Sequence, residues 1–386
     1  MTAIIGWAHT KFGKLEDESL QSLIACAGRA AVEHAGIAFR DVDAIYVGNF
    51  GGFEKQSFPA AFALDAHPDL RFRPATRIEN ACATGSAAIH AGANAIAARA
   101  ARFVLVIGAE KMTTAPGDAI GDILLNASYR QEEGATPGGF AGIFGRIAAL
   151  YFQRYGDQSE ALARIAAKNH ANGVHNPYAQ LRKELPVEFC NTVSDKNPLV
   201  AGPLRRTDCS LVSDGAAAVV LTDTDTAIRF PRAIHLRAAA HAQDFLPMSR
   251  RDIVDFEGCS EACDKAHRQA GTKLSDISFI ETHDCSTIAE LIEYEAMGLA
   301  QRGEGARAIA EGWTAKDGKL PVNPSGGLKS KGHPIGATGV SMHVMASLQL
   351  AGEAQGMQVK APVLAGIFNM GGAAVANYVS ILERLR

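Results

Sequence analysis

Apolar residues along this chain fall into short strand-length runs separated by long alanine-rich stretches, and the pattern occurs twice. Ala35-Gly36-Ile37-Ala38-Phe39-Arg40-Asp41-Val42-Asp43-Ala44-Ile45 aligns without a gap on Ala270-Gly271-Thr272-Lys273-Leu274-Ser275-Asp276-Ile277-Ser278-Phe279-Ile280. Each copy follows an alanine-rich segment of helical character and leads into a short apolar strand. A glycine directly after such a segment predicts a left-handed helix stop, here at Gly36 and Gly271. A second pair is Ala83-Thr84-Gly85-Ser86 and Ala337-Thr338-Gly339-Val340, each opening an alanine-rich helix, the first followed by a strand over Phe103–Gly108. A third pair, Gly215–Leu221 and Gly372–Tyr378, reads as small-residue strands. Three pairs in one order predict two copies of a single α/β unit. Their alanines and glycines predict close packing, with a helix held between sheets in a layered core.

The stretch from Lys111 to about Pro203 has no counterpart in the second copy. It holds Pro137-Gly138-Gly139, helical patterning through Ile143–Tyr155 and Glu160–His170, and Asn176-Pro177. It reads as an insertion lying over the first half, where substrate specificity usually resides. The predicted organisation is residues 1–230, including the insertion, followed by residues 231–386.

Composition narrows the classes of function. The chain has 386 residues, 47% hydrophobic and 20% charged, with a formal net charge of −3. That balance fits a globular protein and gives no electrostatic case for nucleic-acid binding. No apolar run reaches the roughly 20 residues of a membrane helix. The start, Met1-Thr2-Ala3-Ile4-Ile5-Gly6-Trp7, shows no basic, then apolar, secretory pattern. Seven cysteines with no CxxC pair point away from a zinc ribbon and towards a reduced, cytoplasmic setting.

Three segments carry candidate chemistry. In Glu79-Asn80-Ala81-Cys82-Ala83-Thr84-Gly85-Ser86, Cys82 stands where a loop enters a helix. The free N–H groups and partial positive charge of a helix start predict a stabilised thiolate, hence a nucleophile. The plainer alternative is a cysteine filling an alanine-rich core. In Asn323-Pro324-Ser325-Gly326-Gly327-Leu328-Lys329-Ser330-Lys331-Gly332-His333-Pro334-Ile335-Gly336, glycines and prolines crowd one histidine just before a helix. His333 suits proton transfer with a thiol or polarisation of a carbonyl, as any imidazole near neutrality does. An ordinary glycine-rich turn is the alternative, and the spacing of a phosphate loop is absent. In Glu281-Thr282-His283-Asp284-Cys285-Ser286-Thr287, a histidine, an aspartate and a cysteine meet at a strand end. Helix capping by Asp284, Ser286 or Thr287 is compatible with a further role for His283 and Cys285. In the repeat alignment Cys82 falls opposite Gly336, so the thiol of one half is expected to face the histidine loop of the other.

Asn80–Ser86, Asp214–Ala218 and Asn323–Gly339, in this order over nearly the whole chain, resemble the thiolase family. The resemblance implies two pseudo-symmetric βαβαβαββ halves in a five-layered αβαβα body, with the insertion as a loop domain that helps hold coenzyme A. It implies Cys82 as the acylated nucleophile and His333 as its activator. Backbone N–H groups of Cys82 and of Gly371 or Gly372 would form an oxyanion hole, and Ser325 and Gly326 would contact coenzyme A. Most family members carry a second cysteine where this chain has Asn369, in Phe368-Asn369-Met370-Gly371-Gly372. A subgroup, linked to sterol carrier proteins and to archaeal relatives, carries His-Asp-Cys-Phe instead. By that likeness Cys285 becomes the acid/base, and His283 replaces an asparagine that positions an oxyanion-hole water. Ser286 departs from the subgroup's phenylalanine. The implied activity is reversible condensation and thiolytic cleavage of 3-ketoacyl-CoA, with no metal or redox cofactor. The implied assembly is a homodimer or homotetramer, with a small zinc-ribbon/OB-fold protein as a possible partner. Other readings on the same fold are a retro-aldolase, a ketosynthase, or a non-catalytic subunit.

Overall fold

The computed structural model describes residues 1–385. Its strands are β1 (Thr2–His9), β2 (Ala44–Gly48), β3 (Ala75–Ile78), β4 (Val104–Lys111), β5 (Leu199–Ala201), β6 (Leu204–Arg205), β7 (Asp214–Asp223), β8 (Ile234–Gln243), β9 (Phe279–Glu281), β10 (Leu364–Gly371) and β11 (Ala376–Arg384). Apart from the small β5–β6 ribbon they form one mixed sheet, ordered β3-β2-β4-β7-β1-β8-β11-β10-β9.

The repeat in the sequence is visible in that order. Outward from the β1–β8 junction, one side runs β1, β7, β4, β2, β3 and the other β8, β11, β10, β9. An isolated parallel bridge, Ile280 to Val322, stands where a counterpart of β3 belongs. The junction is narrow, with only Thr2, Ala3 and Ile4 pairing with Leu236, His235 and Ile234.

Alternation along the strands explains the layering, because successive side chains point to opposite faces. Leu105, Ile107, Ala218 and Val220 face out against the Leu20–Ala35 helix. Val104, Val106, Val219 and Leu221 face in, towards the Thr84–Ala97 and Ile335–Ala351 helices. In the second half Ala365, Ile367 and Leu382 face those same inner helices, and the Glu257–Ala270 helix covers the outer face with Cys259, Ala262 and Ala266. Helix, sheet, paired inner helices, sheet and helix are therefore stacked in the expected five layers. Both outer helices end as the sequence predicts, with Gly36 at φ 71° and Gly271 at φ 62°.

The inner helices cross at the second repeat pair. A Cβ added at Gly85 would stand 2.6 Å from the Val340 amide nitrogen, and one at Gly339 2.2 Å from that of Ser86. Two helix starts approach this closely only where neither residue has a side chain. Gly85→Ala is expected to destabilise the fold by about 2–3 kcal/mol, read as a loss in thermal midpoint. Gly117→Ala, with open space around it, should change stability by less than about 0.5 kcal/mol.

Two expectations are corrected. Gly372–Val375 is a turn rather than part of a strand, because Gly372 and Ala374 take positive φ (62° and 55°) to reverse the chain between β10 and β11. The strand equivalent to β7 begins only at Ala376. The insertion also packs mainly on the second half. Ile143, Ile147, Tyr151, Leu162 and Ile165, on the Gly139–Tyr155 and Ser159–Gly173 helices, share a core with Ile288, Leu291, Ile292 and Tyr294. Polar contacts fix the same interface, since Lys168 pairs with Glu290 and Asn169 Nδ2 donates to Asp284 at 2.8 Å.

Candidate active site

Cys82 sits in a tight turn ahead of the Thr84–Ala97 helix. The turn is held by Ala83 N–H to Asn80 O (3.1 Å), Thr84 N–H to Ala81 O (3.1 Å) and Asn80 N–H to Thr84 Oγ1 (2.8 Å). Ala81 takes φ 50°, a strained value for a residue with a side chain, of a kind that clusters where a reactive group is aimed. The turn is braced from the second half, where a Cβ at Gly371 would lie 2.4 Å from Asn80 O. The Gly372 amide and the amide of Cys82 itself lie near the sulfur and favour its anion.

The resting thiol is not the thiolate expected from its place near a helix start. Cys82 is buried, and loss of hydration pushes its pKa up to about 12, beyond what the Gly372 and Cys82 amides recover. Desolvation penalises a full charge, whereas the helix start offers only a fraction of one. Activation therefore requires a base.

The second half positions an imidazole beside Cys82. His333 follows the short Gly327–Lys331 helix and precedes the Ile335–Ala351 helix, so the glycine-rich loop feeds it directly to the other inner helix. Its amide donates to Ser213 Oγ (3.0 Å), and its Nδ1 lies 2.7 Å from Thr338 Oγ1. Its Nε2 is buried with no partner among the described residues. Burial, with the Lys331 ammonium nearby, lowers its pKa to about 3, which keeps it neutral.

His283 lies beside it, with the two rings edge to face at 5.1 Å. It is fully buried, burial holds its pKa well below the imidazole range, and its Nε2 also lacks a partner among the described residues. One ligating atom from each of Cys82, His283 and His333 lies within 4.8 Å of the others. Such a trio suits either proton transfer or a soft metal ion. The hydrogen bonds of the imidazoles, not the spacing, decide between the two.

Asp284 does not cap the following helix. It is buried, and its carboxylate accepts the amides of Leu328 (2.6 Å) and Lys329 (3.2 Å), which ties the His283–Cys285 loop to the segment carrying His333. Burial, with Glu290 nearby, raises its pKa to about 7.

Cys285 is partly exposed on the wall of a cavity of about 380 Å³ that it shares with Cys82 and His333. Burial of the thiol, and then the neighbouring Cys82, push its pKa well above the usual range. Ile120, Leu124, Phe140 and Phe144 from the insertion, with Leu211 and Val212, make most of the remaining wall apolar. Cys209 and Ser286 also face this space.

The sequence reading thus brings Cys82, His333, Cys285 and, immediately behind them, His283 to one place. Ser325 and Gly326 do not join them. Ser325 is buried, its hydroxyl donating to Glu281 (2.6 Å), and a Cβ on Gly326 would meet Gly173 Cα at 2.5 Å. Neither lines the cavity, and these contacts lock the loop. Sequence reasoning missed the supporting roles of Asn369, Ser86, Thr338 and Ser213. An asparagine within the apolar run Leu364–Gly371 was the available signal.

Neutral partners on both sides predict a pH profile. Cys82 keeps its proton and His333 gains none between about pH 5 and about pH 9. Alkylation of Cys82 by iodoacetamide should therefore rise through that range without levelling. A plateau beginning below about pH 7 would instead reveal a resting thiolate–imidazolium pair.

Family models match both halves of the chain. The model for the thiolase N-terminal domain matches residues 2–225, and the thiolase C-terminal domain-like model matches residues 239–384. The chain is 37% identical over 388 residues to an acetyl-CoA acetyltransferase of Methanothermobacter thermautotrophicus, covering 99% of both chains. It is 32% identical over 396 residues to sterol carrier protein 2 of Oryctolagus cuniculus, covering 96% of this chain and 70% of that one. Among solved structures, an Ltp2-ChsH2(DUF35) aldolase superposes with a TM-score of 0.82 at 22% identity, covering 100% of this chain and 98% of that one. Among the described residues, no helix is long and apolar enough to cross a membrane. With matching models in both halves and relatives above 30% identity over at least 96% of its length, the chain belongs to the thiolase family.

Proposed function

We propose that the protein is an acyl-CoA C-acyltransferase that makes and cleaves 3-ketoacyl-CoA through an acyl-Cys82 intermediate. One observation carries this reading: Cys82, His333 and Cys285 open onto a single cavity whose other walls are mostly apolar. The relative named as an acetyl-CoA acetyltransferase supports a coenzyme A thioester as substrate.

The protons can be followed through the cycle. Cys82 Sγ attacks the thioester carbonyl carbon as its proton passes to His333 Nε2. The amides of Cys82 and Gly372, or of Gly371, hold the tetrahedral oxyanion. Cys285 protonates the departing coenzyme A sulfur and is left as a thiolate beside the His333 imidazolium. A second acyl-CoA enters, Cys285 takes its α-proton, and the imidazolium donates to the enolate oxygen. The carbanion attacks the acyl-Cys82 carbonyl, Cys82 leaves, and His333 returns its proton. Every group ends as it began, which is the ping-pong logic of covalent catalysis.

The test is a coenzyme A-dependent cleavage assay over 3-ketoacyl-CoAs of graded size. Turnover across the series supports the reading, and its absence with every member overturns it. Ser286, on the cavity wall, governs size preference in this account. Ser286→Phe is expected to lower kcat/KM at least about tenfold for long or branched substrates and to spare the acetoacetyl compound.

An aldolase reading is the alternative raised by the superposing Ltp2-ChsH2(DUF35) aldolase, and retention of Cys82 favours acyl transfer. That complex also supports keeping a small partner protein as a second proposal, tested by co-purification and its effect on KM for coenzyme A thioesters. The exposed edge of β3, with Thr76 and Arg77 on the surface, suits the expected homo-oligomer, which sedimentation would measure.

A further inference from the structure

Asn369, fully buried on β10, joins the two halves of the site. Its Nδ2 lies 3.1 Å from the Cys82 carbonyl oxygen and 2.9 Å from His283 Nδ1, while its Oδ1 accepts from Ser86 Oγ at 2.8 Å. A carbonyl oxygen only accepts, so the atom facing Cys82 is the amide nitrogen, which settles the orientation of the amide. That same nitrogen faces His283, so it donates to Nδ1, and Nδ1 carries the lone pair. A neutral imidazole has one N–H, which then resides on Nε2, the buried atom without a protein partner. His333 is arranged the other way. Thr338 Oγ1 gives its proton to Pro334 O at 3.0 Å, so it accepts from His333 Nδ1–H and leaves Nε2 bare.

We propose that Asn369 is a positioning residue that fixes His283 as the Nε2–H tautomer. Before the first acyl transfer the paired imidazoles then have opposite roles, His283 as hydrogen-bond donor to a bound thioester oxygen and His333 as acceptor of the Cys82 proton. The catalytic consequence rests on the acyl-transfer reading above, but the tautomer assignment does not. The same hydrogen bonds set this trio apart from a metal centre. A soft cation needs a lone pair on each imidazole, and turning the Asn369 amide to release one at His283 Nε2 would press Oδ1 against the Cys82 carbonyl.

Nitrogen-15 spectra of histidine-labelled protein test this directly, with the two signals assigned through His283→Asn and His333→Asn. The expected wild-type result is Nε2–H for His283 and Nδ1–H for His333. Asn369→Asp replaces the donor with an acceptor and should move the His283 proton to Nδ1. It should also lower kcat by about 100-fold or more, with KM for acyl-CoA within a few-fold. In a His283→Asn background, where an amide donates irrespective of tautomer, Asn369→Asp should cost less than about tenfold in kcat. Wild-type His283 found as Nδ1–H or as imidazolium would overturn the proposal, as would equal losses in both backgrounds. Should the aspartate variant fail to fold, the wild-type spectrum alone decides. Nε2–H on His283 in a protein without acyl-transfer activity would retire the functional reading and leave the assignment standing.

Discussion

Cys82→Ala is expected to remove carbon–carbon bond formation and cleavage altogether, lowering kcat by about 10⁵-fold or more, the scale seen when a covalent nucleophile is deleted. The effect is large because, of the cavity's thiols, Cys82 is the one set in the turn beside the oxyanion-hole amides. Cys285 occupies another wall and has a different task, and the oxyanion-hole amides retain nothing to stabilise without an attacking atom. The fold should survive. Cys82 is a small side chain in a turn held by backbone bonds around Asn80, Ala81 and Thr84, so the loss of one buried sulfur should cost no more than about 2 kcal/mol. Steady-state cleavage of acetoacetyl-CoA, with circular dichroism as the fold control, checks both parts.

Cys285→Ala should separate the two halves of the cycle. Cys82, His333 and the oxyanion-hole amides remain, and the His333 imidazolium can protonate the departing coenzyme A. Exchange of labelled coenzyme A into acyl-CoA should therefore persist within about tenfold of wild type. Removal of the α-proton has no other base, so condensation and thiolysis should fall by about 10³–10⁴-fold, the upper range for a positioned acid/base. Loss of exchange and condensation to the same degree would make Cys285 as necessary for protonating the departing coenzyme A as for taking the α-proton, and full activity would remove it from the chemistry.

The inner framework was legible because small residues declare themselves. Gly85 and Gly339 lie in matching four-residue segments, and the structure crosses the two helices at those positions. Gly36 and Gly271 ended their helices as read. Cys82, His333 and Cys285 were legible as candidates because a reactive side chain among glycines, or at a strand end, has little structural reason to be there. What escaped the sequence depended on distance in three dimensions. The insertion packs on the second half through Lys168 and Asn169, whose partners Glu290 and Asp284 lie more than a hundred residues away. The state of the Cys82 thiol was misjudged because a helix start is local and visible in sequence, whereas burial results from the entire fold. Asn369 looked like the loss of a familiar cysteine, and only its contacts with Cys82, His283 and Ser86 give it a role. Ser325 and Gly326 lie off the cavity lining, and a glycine-rich segment serves ligand approach and tight internal packing equally well.

Mass spectrometry of the protein quenched after mixing with a 3-ketoacyl-CoA and free coenzyme A tests the central claim most directly. The account predicts an acyl group, the substrate's acyl portion without its two-carbon unit, on the peptide containing Cys82, together with acetyl-CoA in solution. Cleavage that needs no coenzyme A and leaves Cys82 unmodified, with water as the acyl acceptor and a free carboxylic acid as product, would contradict it.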